Sequence, residues 1–466
     1  MLHCLPAFRM RLNEFVGLQG NEAVATDLRK MLPGMLVEQV AAIFLENINV
    51  FVMGFVSTAA TAGVGQINTV NSVLMNLFQA FAIGGTVLVA QNIGAAKRRE
   101  AAQAAFSALL LGLAVSITVS LLLFLFHADI VRLLFGGATD EVIENSIIYF
   151  RYTALTPPFW FVYFQCCGFM RGAGDTSRPM AISITLNAVS LILNLLFTIA
   201  MRMGVYGSAL SYLISVSIAA VMSLMVVLRL GFVLHPGIGN PFSWETLRKI
   251  ASIALPSSVE TMMFNGSRIV IQAFLAGMGK AMISANAVFT SVNGILNVPC
   301  MALYYLTVPV VSRYTGEGDP DRVKEILRYM SRKTFLWSIP VALGHVLLAY
   351  PLSYLFSRDQ NVIWISVGML VVYAVFATLQ YGSFILPNGF KAVGDARFAM
   401  VVSSVTAWVI RVLGTWFLGV RLGWGAYAVA LTQGIDSALR AVIYYGRFKR
   451  GTWLKYMFDP NSPQKT

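Results

Sequence analysis

Long apolar stretches, each closed by a charged cluster or a break containing Gly or Pro, follow one another from about residue 31 to residue 446. Twelve of them reach the roughly 20 residues that cross about 30 Å of hydrocarbon at a helical rise of about 1.5 Å per residue. They fall near residues 31–54, 64–90, 102–126, 142–168, 179–200, 206–228, 250–276, 282–311, 328–350, 361–386, 398–419 and 425–446. Strand-type alternation is absent, and lipid offers no partner for an open sheet edge, so every span is predicted to be a helix. The pattern predicts an all-α integral membrane protein with twelve transmembrane helices. Composition agrees: 57% hydrophobic residues, 12% charged residues and a mean hydropathy of +0.70 leave too little polar surface for a soluble chain of 466 residues.

Charge sets the expected orientation. Lys and Arg crowd the N-terminus, the even-numbered loops and the C-terminus, among them Lys97, Arg98, Arg99, Arg248, Lys249, Arg322, Lys324, Arg447, Lys449 and Arg450. The odd-numbered loops hold Arg132, Arg202, Lys280, Arg358 and Arg421. The positive-inside rule then places both termini in the cytoplasm, in a multi-pass protein of the cell membrane. It also explains the net charge of +13 without nucleic acid, because the basic residues sit in short loops and not on one amphipathic face. Arg9, Arg11, Glu14, Glu22 and Asp27 make the first 30 residues too polar for a signal peptide. Cys4, Cys166, Cys167 and Cys300 show neither metal-ligand spacing nor a disulfide framework.

Two motif pairs reveal a duplication. FMRGAGDTSRPM from Phe169 and GFKAVGDARFAM from Gly389 place Gly174-Asp175 and Gly394-Asp395 220 residues apart. QNIGAAKRREA from Gln91 and SRYTGEGDPDRVKEI from Ser312 recur at nearly the same interval. Six spans per copy is an even number, so both copies enter the membrane with the same orientation, and their pseudo-twofold axis is expected along the membrane normal. The expected organisation is a cytoplasmic segment 1–30, a first lobe 31–228, a cytoplasmic linker 229–247, a second lobe 248–446 and a cytoplasmic tail 447–466. Two six-helix lobes suit alternating access, in which bundles rock about a midplane site. Gly174, Asp175, Gly394 and Asp395 read as loop hinges: the glycines permit left-handed backbone angles, and the aspartates can cap the following helix.

GGTVLVAQNIGAAKRREA from Gly84, FMRGAGDTSRP, LPSSVETMMFNGSRIVIQ from Leu255 and GIDSALRAVIYYGRFKRGTW from Gly434 together resemble the multidrug and toxic compound extrusion (MATE) family. The resemblance runs from Leu32 to Trp453. It implies a twelve-helix, two-lobe antiporter that expels organic compounds in exchange for protons or sodium ions.

Ionisable residues inside spans are costly and few, which makes them the candidates for mechanism. Glu38, Glu46 and Asn49 share one face of span 1, and desolvation of a carboxylate there would let it exchange a proton near neutral pH. Many MATE members are expected to carry an Asp five residues before a span-1 Gly, where Asn49 precedes Gly54 here. An amide cannot titrate, so that role is either absent or moved to Glu46. Glu38-Gln39 after Pro33 is similar to the pattern of one branch of the family. Glu260 occupies the matching place in span 7, four residues after Pro256, with Arg268 two turns further on. Gln380 stands where sodium-coupled relatives often add a carboxylate, which favours a proton over a sodium ion as the coupling ion. Asp436 and Arg440, four apart in span 12, have the spacing of an intrahelical pair, with Arg411 in span 11 a second partner and Arg268 available to an acid of a neighbouring span, so Arg411, Arg440 and Arg268 read as structural cations; the functional alternative is that substrate or ion binding competes for Asp436. Asn71 in span 2, with Asn68, Asn76 and Gln79, is available to a substrate, to a cation or to interhelical hydrogen bonds.

The resemblance implies a small organic substrate, typically a lipophilic cation held by Glu46 or Glu260 and released when the acid is protonated. Membrane lipids are the other expected partner of a monomeric chain that needs no cofactor and no metal. An anionic or zwitterionic metabolite, or a lipid-linked substrate moved by a flippase of the same superfamily, is the alternative. His3, His127, His235 and His345 are dispersed and form no catalytic cluster, and no ring of similar residues lines a channel, so neither an enzyme nor a channel is expected.

Overall fold

A computed structural model describes residues 22–231 and 243–458, apart from the side chains of residues 22, 23, 46, 47, 49–51, 380, 381 and 458. The described residues contain helices and connecting turns and no strand. The first half comprises α1 (Glu22–Met53), α2 (Thr58–Gly94), α3 (Arg98–Leu125), α4 (His127–Phe135), α5 (Asp140–Thr153), α6 (Pro157–Gly172), α7 (Ser177–Asn194, continued as a π-helix over Leu195–Ala200) and α8 (Gly204–Arg229). The second comprises α9 (Trp244–Gly277), α10 (Lys280–Leu296), α11 (Val298–Gly316), α12 (Pro320–Leu347), α13 (Ala349–Phe356), α14 (Gln360–Ala377), α15 (Gln380–Val393), α16 (Ala396–Thr406, with π-helical turns at Ala407–Leu413 and Trp416–Arg421) and α17 (Tyr427–Arg450).

Each of the twelve apolar segments falls on one helix or on a consecutive pair. Among the described residues six helices are individually long and apolar enough to cross a membrane: α2, α3, α7 with its π turn, α8, α14 and α16 with its π turns. The pairs α10–α11 and α12–α13 qualify jointly, with bends of 65° and 64°. The remaining four segments lie on α1, α5–α6, α9 and α17, and these carry Glu38, Arg171, Glu260, Asp436 and Arg440. Charge also enters the interior on α15 with Lys391 and on α16 with Arg411.

The duplication extends to the irregularities of the helices. A break after α3 at Phe126 recurs after α12 at Leu348, and π-helical turns close both α7 and α16. Both GD motifs build the same helix ending. The Asp175 N–H bonds to the Met170 carbonyl at 2.9 Å and the Gly174 N–H to the Arg171 carbonyl at 2.9 Å; Asp395 to Phe390 (2.8 Å) and Gly394 to Lys391 (3.0 Å) repeat the pattern. This is the Schellman arrangement, which needs a left-handed residue just past the helix, and Gly174 and Gly394 supply it with φ of 88° and 108°. Asp175 Oδ1 then accepts the Ser177 and Arg178 N–H groups that open α7. In the second half α15 runs on to Val393, so the segment around Lys391, read from sequence as loop, is helical up to that cap.

By compactness the chain forms two units, Pro33–Ser258 (the N-unit) and Met1–Leu32 with Val259–Thr466 (the C-unit). The divisions fall inside the continuous helices α1 and α9, beside Pro33 and two residues after Pro256. Within the C-unit the opening turns of α1 are held by Asp27, which pairs with Arg313 and accepts the Tyr314 hydroxyl at 3.1 Å. The N-unit has an apolar core around Val64, Ile67, Tyr149 and Phe150. A core around Phe289, Met369, Leu370 and Tyr373 lies in the C-unit. Glycines permit the closest helix approaches: a Cβ at Gly112 would lie 1.8 Å from Phe161, and one at Gly434 would lie 2.3 Å from Phe376.

Candidate functional site

In the N-unit, α1 presents Glu38 five residues after Pro33 and α6 presents Arg171 in its last turn, three residues before Gly174. Arg171 Nη2 donates to Glu38 Oε1, and both side chains are at least nine-tenths buried. Gly34 sets this approach, because a Cβ there would meet the Thr176 carbonyl oxygen at 2.8 Å. The absence of a side chain lets α1 lie against the GD turn, which brings Glu38 beside the end of α6. The pair is incompletely satisfied: Glu38 Oε2 and Arg171 Nε have no hydrogen-bond partner among the described residues. Tyr163 and Cys167 on α6 are close enough to both charges to interact electrostatically.

The C-unit repeats the construction with different residues. Glu260 follows Pro256 on α9, Lys391 lies three residues before Gly394 on α15, and Glu260 Oε2 is 2.8 Å from Lys391 Nζ. That approach lies outside hydrogen-bonding angles, so the contact is an ion pair with only 14% and 6% of the two side chains exposed. Tyr304 and Tyr444 lie within electrostatic range of Glu260 and Arg440. Glu38 and Glu260 are 222 residues apart, and Arg171 and Lys391 are 220 apart. Each half therefore joins the acid of its first helix to the base that precedes its GD turn.

Among the described residues, a second buried charge cluster is found in the C-unit and not in the N-unit. Asp436 on α17 is fully buried; its Oδ2 takes Arg440 Nη2 at 2.8 Å and faces Arg411 Nε at 3.0 Å, while Oδ1 has no partner among the described residues. Arg411 lies in the π-helical turn Ala407–Leu413. The Phe264 ring lies 4.5 Å from the Arg411 guanidinium carbon and 5.6 Å from that of Arg440. One carboxylate between two guanidiniums leaves this cluster with a formal charge of +1.

Other candidates are placed as follows. Arg268 is exposed. Asn71 is 5% exposed and its Nδ2 has no partner among the described residues, while Asn68 Oδ1 accepts the Tyr149 hydroxyl at 3.1 Å. Asp175 pairs with Arg178 at 3.0 Å. Asp395 accepts Arg447 Nε and Nη2 at 2.8 and 2.6 Å; burial pushes its carboxyl above the ordinary carboxylate range, while Arg447 and Lys455 pull it down. Backbone only is given for Glu46, Asn49 and Gln380, whose side chains lie outside the described residues. A cleft of about 700 Å³ in the N-unit is lined by His127, Arg132, Asp140, Glu144, Arg151 and Tyr206. Sequence reasoning passed over Arg171 and Lys391, yet both occupy the same register in the two motifs, three residues before the glycine.

The two-part organisation of the chain has a counterpart in a known family. The MatE family model matches residues 34–199 and 256–417, one stretch in each half. The chain belongs to the MATE family. As in that family, it is a multi-pass membrane transporter and not an enzyme. A "Probable multidrug resistance protein NorM" of Thermotoga maritima is 21% identical over 408 residues, covering 86% of this chain and 87% of the relative. A "FAD transporter" of Shewanella oneidensis is 24% identical over 338 residues, covering 71% and 74%. The solved structure of a MOP superfamily transporter from Pyrococcus furiosus superposes with a TM-score of 0.85 at 18% identity, covering 92% of this chain and 96% of that one. The MATE fold thus accommodates the repeated charge pairs described above.

Proposed function

We propose that this MATE protein is a secondary active exporter of organic compounds, driven by protons through alternating access, in a cell membrane with both termini cytoplasmic. The observation that supports this is the duplicated, buried carboxylate–base pair, Glu38–Arg171 and Glu260–Lys391. A carboxylate that is removed from water and incompletely bonded can exchange its ion pair for a proton at small net cost. A cationic substrate would compete for the same oxygens as the proton and as the basic partner. Competition of that kind is the linkage an antiporter requires, since binding of one ligand then expels the other. Glu46 is a further candidate on the same face of α1, and the proton is the favoured coupling ion because an amide, Gln380, replaces the span-10 carboxylate of sodium-coupled relatives.

A second reading rests on the excess of base inside the C-unit, where Lys391, Arg411 and Arg440 outnumber Glu260 and Asp436. That balance suits an organic anion, and one relative is named for FAD transport. The two readings differ in the sign of coupling. Protonating Glu260 would free Lys391 for an anion, so proton and anion would bind together, whereas proton and cation exclude each other. Proteoliposomes with separately imposed proton and sodium gradients test the proposal. Ethidium accumulation in vesicles with an acidic lumen, with no response to sodium, is the expected result where the exporter's cytoplasmic face points outward, because each proton that leaves the lumen is exchanged for entering substrate. Uptake that follows sodium alone overturns proton coupling, and transport of FAD but not ethidium selects the anion reading.

A further inference from the structure

His345 is fully buried in α12, two residues before the end of that helix and its 64° bend into α13. Its Nδ1 lies 2.8 Å from the Val341 carbonyl oxygen and its Nε2 lies 2.9 Å from Asn293 Oδ1 on α10. Asn293 Oδ1 also receives Asn297 Nδ2 at 2.7 Å, and the same Nδ2 reaches the Asn293 backbone carbonyl at 2.9 Å. Asn297 is the residue at which α10 breaks into α11 through a 65° bend.

The direction of every bond in this chain is fixed from its ends. A backbone carbonyl only accepts, so the Asn297 atom on the Asn293 carbonyl is the amide nitrogen. That nitrogen donates at the same time to the Asn293 side chain, so the Asn293 atom it meets is the oxygen. The oxygen can only accept from His345 Nε2, and the Val341 carbonyl can only accept from Nδ1. Both ring nitrogens must therefore carry protons for both bonds to exist, which a neutral imidazole cannot satisfy.

We infer that His345 is a proton-binding site of the transporter, occupied by the second proton in the conformation described, and that its charge state decides whether α10 and α12 stay pinned together at their bends. A neutral ring keeps one N–H. It can hold the Val341 carbonyl within its own helix or Asn293 across the gap, but not both, and Asn293 retains Asn297 as a donor in either case. Loss of the proton thus costs either the Val341 bond or the α10–α12 link, and removes the charge assistance from whichever bond remains. The ring of Tyr373 from α14 lies 5.6 Å from the imidazole, tilted 53° to it. Tyr373 is the titratable group against the ring among the described residues; α10 contributes only the amides of Asn293 and Asn297. The Asn293 amide also reaches Tyr373, which lies within electrostatic range of Arg411 and Arg440, so their positive charge works against the added proton. Through Tyr373 the His345 site adjoins the Asp436 cluster. The inference shares with the proposed function only the premise that protons drive transport, and its test measures protonation without transport.

The full-length protein carrying His3→Gln, His127→Gln and His235→Gln retains one of its four histidines, so its ring-¹⁵N spectrum in lipid nanodiscs reports His345 alone. The expected result is two protonated nitrogens at about pH 5 and one at about pH 8, the range in which an imidazole ordinarily changes charge. Asn293→Leu removes one acceptor of the charged form and is expected to lower the midpoint by about one pH unit. A ring with one proton throughout, a ring with two protons throughout, or a midpoint indifferent to Asn293→Leu overturns the inference.

Discussion

Lys391→Met is expected to destabilise the protein by about 3–5 kcal/mol, and the double variant Lys391→Met, Glu260→Gln to recover most of that loss. Removing the base strands the Glu260 carboxylate in a site where its side chain is 14% exposed. Removing both charges leaves two groups of similar size and no isolated ion, which is often close to neutral for stability. Function should follow the opposite order. The double variant folds but has no titratable group at this position, so proton-driven export is expected to fall at least tenfold, as in Glu260→Gln alone. Denaturant or thermal unfolding of purified protein checks the first expectation, and transport in proteoliposomes checks the second. Equal stability of Lys391→Met and wild type would show that the ion pair does not hold in the membrane.

Asp436→Asn is expected to be the most damaging substitution in the second cluster, costing about 3–5 kcal/mol, and to exceed Arg411→Gln clearly. The ordering follows from charge. Wild type places one carboxylate between two guanidiniums; loss of the carboxylate leaves two buried cations facing each other, with the rings of Phe264 and Phe384 beside them and no anion in its place. Loss of Arg411 leaves a neutral Asp436–Arg440 pair that keeps its 2.8 Å hydrogen bond. Unfolding midpoints of the two variants compared with wild type decide the order. A smaller effect for Asp436→Asn than for Arg411→Gln would mean that the arginines find another anion in the membrane.

Hydropathy and repeat spacing made the helical class and the duplication legible because both are local or periodic properties of the chain. The GD motif was legible as a turn for the same reason: a left-handed glycine leaves a mark in sequence, and the structure resolves that mark into a Schellman ending in each half. The i, i+4 spacing drew attention to Asp436 and Arg440, which the structure joins directly. What sequence did not convey was pairing at long range. Glu38 and Glu260 stood out as buried acids, but nothing local announced that Arg171 and Lys391, counted with the basic loops, complete them across 133 and 131 positions. His345 was set aside as one of four dispersed histidines, since its partners lie about 50 residues away on another helix. A comparison of the two repeats position by position, and not motif by motif, contained the missing signal for Arg171 and Lys391.

In the proposed cycle, proton and organic substrate compete for the two buried carboxylates. Proton release on substrate addition, followed with a pH-sensitive dye in weakly buffered detergent solution at several pH values, tests it most directly. Wild type is expected to release protons when ethidium binds, Glu260→Gln and Glu38→Gln are each expected to release fewer, and the double Gln variant to bind without release. Proton uptake on binding, or release unchanged in the double variant, would contradict the account.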